Sequence, residues 1–100
     1  QCVLDYLGVT LAGQADPALA PLRAELAEEG AAPQAQVYGD TLRLSTHGAA
    51  LLNGMASHVL DYDDVNYALM GHPTVPILPA ALALAEAKAS SGAQLMDAFL

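Results

Sequence analysis

The stretch HVLDYDDVNYALMGHPTVP, residues 58–76, concentrates side chains that could transfer protons. Its acids are Asp61, Asp63 and Asp64, and its imidazoles are His58 and His72. No Lys or Arg occurs in the stretch, although the chain already carries a net charge of -8. Because three close carboxylates repel one another, at least one is expected to take a cationic partner or to hold a proton. A His and an Asp that converge from two sides of such a loop could serve as an acid–base pair.

The helix before this stretch is expected to deliver two of these groups. It should begin with Ser45 as its N-cap and continue through THGAALLNGMASHVLD. One face of that helix is formed by Leu51, Gly54, His58 and Asp61, and polar groups flank it at Asn53 and Ser57. The predicted helix therefore carries an imidazole and a carboxylate to its C-terminal end.

The motif GHP should hold the second imidazole in a constrained turn. Gly71 gives the backbone freedom before His72, and Pro73 stiffens the backbone after it. The residues between the two histidines show no regular periodicity. We therefore predict one irregular loop near residues 62–75.

The rest of the chain is patterned as helices. In the first segment Gly13 is a plausible C-cap, and Gly8 is expected to mark close helix packing. A second helix should start at Asp16-Pro17 and end at Gly30. A short turn with extended flanks is expected in AQVYGDTLRLS, and further helices in ILPAALALAEAKA and SSGAQLMDAFL.

These patterns predict an all-α region without an internal domain boundary. Residues 1–100 begin and end within apolar, helix-patterned sequence, so we expect them to be a partial helical domain from a longer polypeptide. The single Cys2 excludes an internal disulfide framework and fits a reducing compartment, which favours a cytoplasmic location.

The charge balance excludes several classes of partner. Eleven acids stand against three basic residues, Arg23, Arg43 and Lys88. Nucleic acids and anionic membrane surfaces both require a basic surface, so neither is an expected partner. The apolar runs are also shorter than the ~20 residues that a membrane-spanning helix needs.

Other functions of the same residues remain open. The Asp run could be a solvated turn, His58 a buried core histidine, and His72 an ordinary loop residue. His47 near a helix start is expected to be a surface residue. The motif at residues 61–64 matches the D-x-D-D acid motif of one class of terpene cyclases. The carboxylates and His72 could bind a divalent metal, but their spacing matches no known metal loop, and no metal is expected.

In this order, the motifs LDYLGVTLAG, AALLNGMASHVLDYDD, GHPTVPILPAALALAEA and SGAQLMDAF resemble the MmgE/PrpD family. Its members include 2-methylcitrate dehydratase, cis-aconitate decarboxylase and iminodisuccinate epimerase. The resemblance covers nearly the whole chain. It implies the early part of a large helical domain in a homodimeric, cofactor-independent enzyme, whose active site lies between this domain and a smaller α+β domain.

The resemblance also implies roles for individual residues. The first Asp of LDYDD and the His of GHP belong to the family's active site, and here they are Asp61 and His72. The residue after LDYDD is often Thr in the family but is Val65 here, which weakens assignment to the decarboxylase branch. The resemblance says less about the remaining polar residues. Asn53, His58 and Asp64 are expected to support the pocket on the helix-face argument alone.

The expected substrate is a small di- or tricarboxylic acid, and 2-methylcitrate dehydration is the reaction that fits best. We expect His72 to transfer the proton and Asp61 to orient it or to act as a second acid–base group. A carboxylate substrate will not enter a site lined by acids unless cations outweigh them, so a cationic clamp should come from sequence outside this chain. The 100 residues alone should therefore be inactive. A non-catalytic helical interaction module is the alternative from another class.

Overall fold

A computed structural model describes all residues, 1–100, and shows five α-helices and one small hairpin. The helices are α1 (Cys2–Gly13), α2 (Ala20–Glu28), α3 (Thr46–His58), α4 (Leu78–Ala87) and α5 (Gly92–Phe99), and the strands are β1 (Ala35–Gln36) and β2 (Arg43–Leu44). A single 3-10 turn, Pro17–Leu19, leads into α2. The expectation of an all-α region is confirmed in part, because the chain is mostly helical but also forms a short hairpin. None of the five helices combines the length and apolar character needed to cross a membrane.

The capping residues act as the sequence predicts. The side chain of Asp16 accepts a hydrogen bond from the Ala18 amide at the start of the 3-10 turn, and Ser45 caps α3 through the Gly48 amide. Ser91 and Gln94 form a complete capping box at α5. Each cap supplies a partner to an amide that the first helical turn leaves free, and this determines where the helix begins.

Helix α3 is the centre of the molecule, and α1 and α4 pack against it. Its buried face carries Ala49, Leu52 and Ala56, which join a core formed by Leu19, Leu26, Ala35, Val37, Leu44 and Ala83. The small alanines let neighbouring elements approach the helix axis closely. The position of α3 therefore determines where the loop that follows it lies.

The helix-packing glycine of α1 is Gly13, which corrects two expectations. Gly13 is the last residue of α1 and has no left-handed conformation, so it is not a C-cap of that kind. A Cβ atom at Gly13 would lie 2.0 Å from the carbonyl oxygen of Ala56 in α3. Only a residue without a side chain fits at this contact between α1 and α3. Gly8 has no atom within 4 Å of such a Cβ position and lies on the exposed face. The sequence shows two glycines but not which of them faces α3.

The second helical segment begins after Asp16 as predicted, but as the 3-10 turn Pro17–Leu19, and the predicted turn with extended flanks is a hairpin. Helix α2 ends at Glu28, and Gly30 follows with φ 61°. Strands β1 and β2 pair antiparallel, with Ala35 opposite Leu44. An ion pair connects the hairpin to α4: the Arg43 guanidinium lies 2.7 Å from the Glu86 carboxylate.

Helix α3 ends three residues earlier than predicted. Its last residue is His58, and Asp61 lies beyond it with φ 54°. The Asp61 amide donates to the His58 carbonyl at 2.8 Å, which closes the turn. A carboxylate is unfavourable at the negative end of a helix dipole, and Asp tolerates the left-handed conformation better than most residues. Asp61 therefore leaves the helix axis instead of continuing the face of His58.

Candidate functional site

The loop between α3 and α4, residues 59–77, folds back on itself and returns His72 to the aspartates. Asn66 and Gly71 bridge the two sides of the loop through backbone hydrogen bonds of 2.9 and 3.3 Å. The residue with a left-handed conformation in this turn is Met70, with φ 51°. From the sequence alone, that conformation would be expected at Gly71. The irregular loop predicted near residues 62–75 is therefore present, and its chain reversal places the two histidines side by side.

Asp63 lies at the centre of the resulting cluster. Its side chain is 1% exposed. His58 Nδ1 lies within hydrogen-bond distance of Asp63 Oδ1, at 2.9 Å. On the other side, His72 Nδ1 lies 3.0 Å from Asp63 Oδ2, but the two atoms are not aligned as a hydrogen bond and have no other partner. One buried carboxylate thus stands between two imidazoles.

His72 presents its second nitrogen to Asp61. The distance from His72 Nε2 to Asp61 Oδ1 is 3.7 Å, and the Asp61 side chain is 80% exposed. The His58 and His72 rings meet edge to face, with their centroids 4.7 Å apart. The Nε2 side of His72 is therefore the side that faces an exposed acid, whereas the Nδ1 side faces a buried one.

The predicted site residues fall into two groups. Asp61, His58 and His72 join the cluster around Asp63, and a ligand atom from each of the four lies within 4.8 Å of the others. His58 is half-exposed and bonded to a carboxylate, which is not the environment of a buried core histidine.

Asp64 stabilises the loop but does not belong to the cluster. Its carboxylate accepts hydrogen bonds from the Thr74 backbone amide, at 3.3 Å, and from the Thr74 hydroxyl. Thr74 is buried and lies two residues after His72. Asp64 therefore helps to position the imidazole through the backbone.

Asn53 is engaged with the hairpin. Its amide nitrogen donates to the Gln36 carbonyl at 2.9 Å, and its oxygen accepts from the Tyr38 amide at 3.0 Å. Because it is buried, these bonds satisfy the amide and attach the hairpin to α3. None of these partners belongs to the cluster.

Asp63 is the site residue that sequence reasoning did not select. Three acids within four residues are equivalent in composition, and only their burial distinguishes them. The sequence does contain one indication of its role. Asp63 lies five residues after His58, and a chain that leaves a helix can fold back against the last helical turn over that distance. That signal does not separate Asp63 from Asp64.

No basic side chain of the chain neutralises this cluster. Arg23 is paired with Asp40 and Arg43 with Glu86, both away from the loop. Lys88 follows α4 as its C-cap residue and makes no ion pair. The carboxylates of the cluster are therefore balanced only by imidazoles.

The largest groove of the molecule is formed by residues outside the cluster and has a different character. It has a volume of about 490 Å³ and lies between α3 and α4, where its wall is mainly apolar and includes Leu51, Met55 and Pro79. A smaller cavity of about 290 Å³ includes Tyr62 and Asp64. No member of the four-residue cluster lines either of them.

Two comparisons with known proteins bear on this arrangement. A family model described as the MmgE/PrpD N-terminal domain matches residues 1–100. No curated protein matches the chain.

Proposed function

The chain belongs to the MmgE/PrpD family, and we propose that it supplies the acid–base residues of an enzyme acting on a small di- or tricarboxylic acid. Family members are generally dehydratase-type enzymes. The proposed reaction is elimination of water from a substrate of the 2-methylcitrate kind. Its difficult step is removal of a proton from a carbon next to a carboxylate.

The observation that carries the proposal is the environment of His72. A buried carboxylate, Asp63, lies 3.0 Å from Nδ1, and an exposed carboxylate, Asp61, lies 3.7 Å from Nε2. A negative charge beside Nδ1 favours a proton on that nitrogen, which leaves a lone pair on Nε2. Nε2 can then accept a proton from substrate, as general-base catalysis requires.

Each group has a proposed role in the elimination. His72 Nε2 takes the proton from the carbon, the electron pair forms the new double bond, and the hydroxyl group leaves with a proton from an acid. Asp61 is the second acid–base group because it lies on the same side as Nε2. Asp63 orients the imidazole; of the two roles that the sequence predicts for Asp61, orientation and acid–base transfer, Asp61 keeps the second. His58 and Asp64 support this arrangement through Asp63 and Thr74 respectively.

Decarboxylation and epimerisation remain alternatives within the same family. Val65 offers no hydroxyl group to a substrate, and its side chain is exposed beside the cluster. This supports the dehydratase over the decarboxylase, since family members often have Thr at this point. We further propose that the enzyme is a homodimer and that its cationic substrate clamp is supplied by residues outside this chain.

The alternative of a non-catalytic interaction module is less well supported. An acidic loop that only solubilises the molecule would direct its carboxylates outward. Asp63 is instead buried between two imidazoles with no Lys or Arg partner, and burial of a carboxylate in that way is costly unless its charge serves a purpose.

Replacement of His72 tests the proposed function. His72→Ala in the intact protein is expected to lower kcat by ~10²–10⁴ because it removes an acid–base group. Steady-state rates on 2-methylcitrate, cis-aconitate and related acids would measure the effect, with circular dichroism to confirm folding. His47→Ala, an exposed histidine on α3, is the matched control. Near-wild-type turnover by His72→Ala would remove this residue from the mechanism.

A further inference from the structure

The same four residues also form a set of metal ligands. We infer that His58, Asp61, Asp63 and His72 bind a borderline divalent cation such as Zn²⁺, and that the bound ion competes with proton transfer at His72. The binding is argued from geometry and charge alone. The competition rests on the proposed function.

The ligand atoms are already close to one another. One nitrogen or oxygen from each residue lies within 4.8 Å of the other three. Around a tetrahedral ion with bonds of about 2.1 Å, ligand atoms are about 3.4 Å apart. The side chains therefore need to approach by roughly an ångström, which rotations of the exposed Asp61 and the half-exposed His58 can supply.

Two buried atoms of the cluster lack a hydrogen-bond partner. They are Asp63 Oδ2 and His72 Nδ1, which lie 3.0 Å from each other without the alignment of a hydrogen bond. Asp63 is almost completely buried, so an unsatisfied oxygen there is unfavourable. A cation coordinated by that oxygen would satisfy it. This observation is independent of the number of acids in the loop.

The charge of the cluster suits a divalent ion. Two carboxylates and two neutral imidazoles carry a total charge of -2, which a divalent cation cancels. Arg23 and Arg43 do not compete, because each is paired with another carboxylate. A positive partner is therefore electrostatically favourable at this position.

The ligand types select the class of metal. Imidazole nitrogen with carboxylate oxygen suits Zn²⁺ and neighbouring first-row ions, whereas Mg²⁺ and Ca²⁺ prefer ligand sets made of oxygen alone. Zinc binds an imidazole through a ring nitrogen that carries no proton.

An ion bound in this way would inhibit the proposed reaction. A His72 nitrogen that donates its lone pair to a metal cannot accept a proton from substrate. Asp61 and Asp63 would likewise lose their roles beside the imidazole. The metal-free protein is then the active form, in keeping with an enzyme that needs no cofactor.

Titration of the intact, chelator-treated protein with Zn²⁺ in a calorimeter tests the site. One equivalent is expected to bind, and Co²⁺ should give the visible absorption bands of a four-coordinate ion. His72→Ala and His58→Ala should each weaken binding by at least about 10-fold, as the loss of a ligand demands. His47→Ala is the control and should bind like the wild type.

Two results would overturn the site: no binding at millimolar Zn²⁺, or equal affinity in the wild type and both ligand variants. Turnover that is unchanged when the ion is bound would overturn the competition. Inhibition that a chelator reverses would support it. The calorimetric result does not depend on activity. Failure to find a substrate would therefore count against the proposed function only, and the binding measurement would still test the metal site.

Discussion

At the scale of single residues, the site depends on a difference between acids that are neighbours in sequence. Asp61 is exposed beside Nε2 of His72, Asp63 is buried beside Nδ1, and Asp64 accepts hydrogen bonds from Thr74. The three carboxylates therefore have three environments. Their crowding, which looks unfavourable in the sequence, is offset because Asp61 and Asp63 face opposite nitrogens of His72 and Asp64 faces Thr74.

Asp63→Asn tests the orienting role of the buried carboxylate. Asn has nearly the same shape but no charge, so it no longer favours a proton on His72 Nδ1. We expect kcat to fall roughly 10²-fold or more, as happens when an imidazole loses the acid that sets its tautomer. KM should change little, because Asp63 contacts the imidazole and not the proposed substrate position.

Nitrogen NMR of His72 distinguishes this role from a structural one. The imidazole should move from the Nδ1-protonated toward the Nε2-protonated form in Asp63→Asn. Asp97→Asn, an exposed acid on α5, provides the control and should leave both rate and tautomer unchanged. A variant with an unaltered His72 signal and unaltered kcat would refute the orienting role.

At the scale of elements, the site depends on how closely α1 and α3 approach. The contact between Gly13 and the Ala56 carbonyl holds the second half of α3 against α1. His58, at the end of α3, and the loop behind it are positioned by that contact. The Asp64–Thr74 hydrogen bonds then close the loop at the beginning of α4.

A pair of glycine substitutions separates packing from helix propensity. Gly13→Ala should destabilise the protein by about 1–3 kcal/mol, because its methyl group would overlap the Ala56 carbonyl. Gly8→Ala, on the exposed face of the same helix, should stabilise it by about 0.5–1 kcal/mol. Free energies of unfolding in urea measure both effects. Equal stability of the two variants would contradict the assignment of Gly13 to the helix contact.

At the scale of the whole molecule, charge and apolar surface both indicate further contacts. The cluster has no Lys or Arg neighbour, and the loop exposes several large apolar side chains, of which Tyr67, Leu69 and Met70 are the most exposed. In the proposed enzyme, a second domain or subunit would cover such residues and provide cations for the substrate. These 100 residues would then contribute one half of a site.

A protein made of these 100 residues alone is therefore expected to have no measurable turnover of 2-methylcitrate or cis-aconitate. Two substrate carboxylates would meet a net negative cluster without a compensating cation. The assay compares this piece with the intact protein at equal concentration. Turnover by the piece would contradict the half-site proposal.

Much of the fold could be predicted from local sequence signals. Asp16, Ser45 and Ser91 cap helices because a side-chain oxygen and a free amide lie within a few residues of each other. The hairpin in AQVYGDTLRLS follows from its turn residues for the same reason. The end of α3 was placed three residues too late, since helical periodicity does not reveal where a residue such as Asp61 adopts a left-handed conformation.

The sequence by itself determined the helical class, the family and the segment that carries the acid–base groups. These properties depend on residue types and on spacings of a few residues, and both can be seen in the sequence. Only the tertiary structure decided that Gly13 and not Gly8 contacts α3, that Asn53 holds the hairpin, and that Asp63 is buried between two imidazoles. Those outcomes depend on contacts between residues that are far apart in the sequence. Burial and contact distance, which the sequence does not show, distinguish residues of the same type.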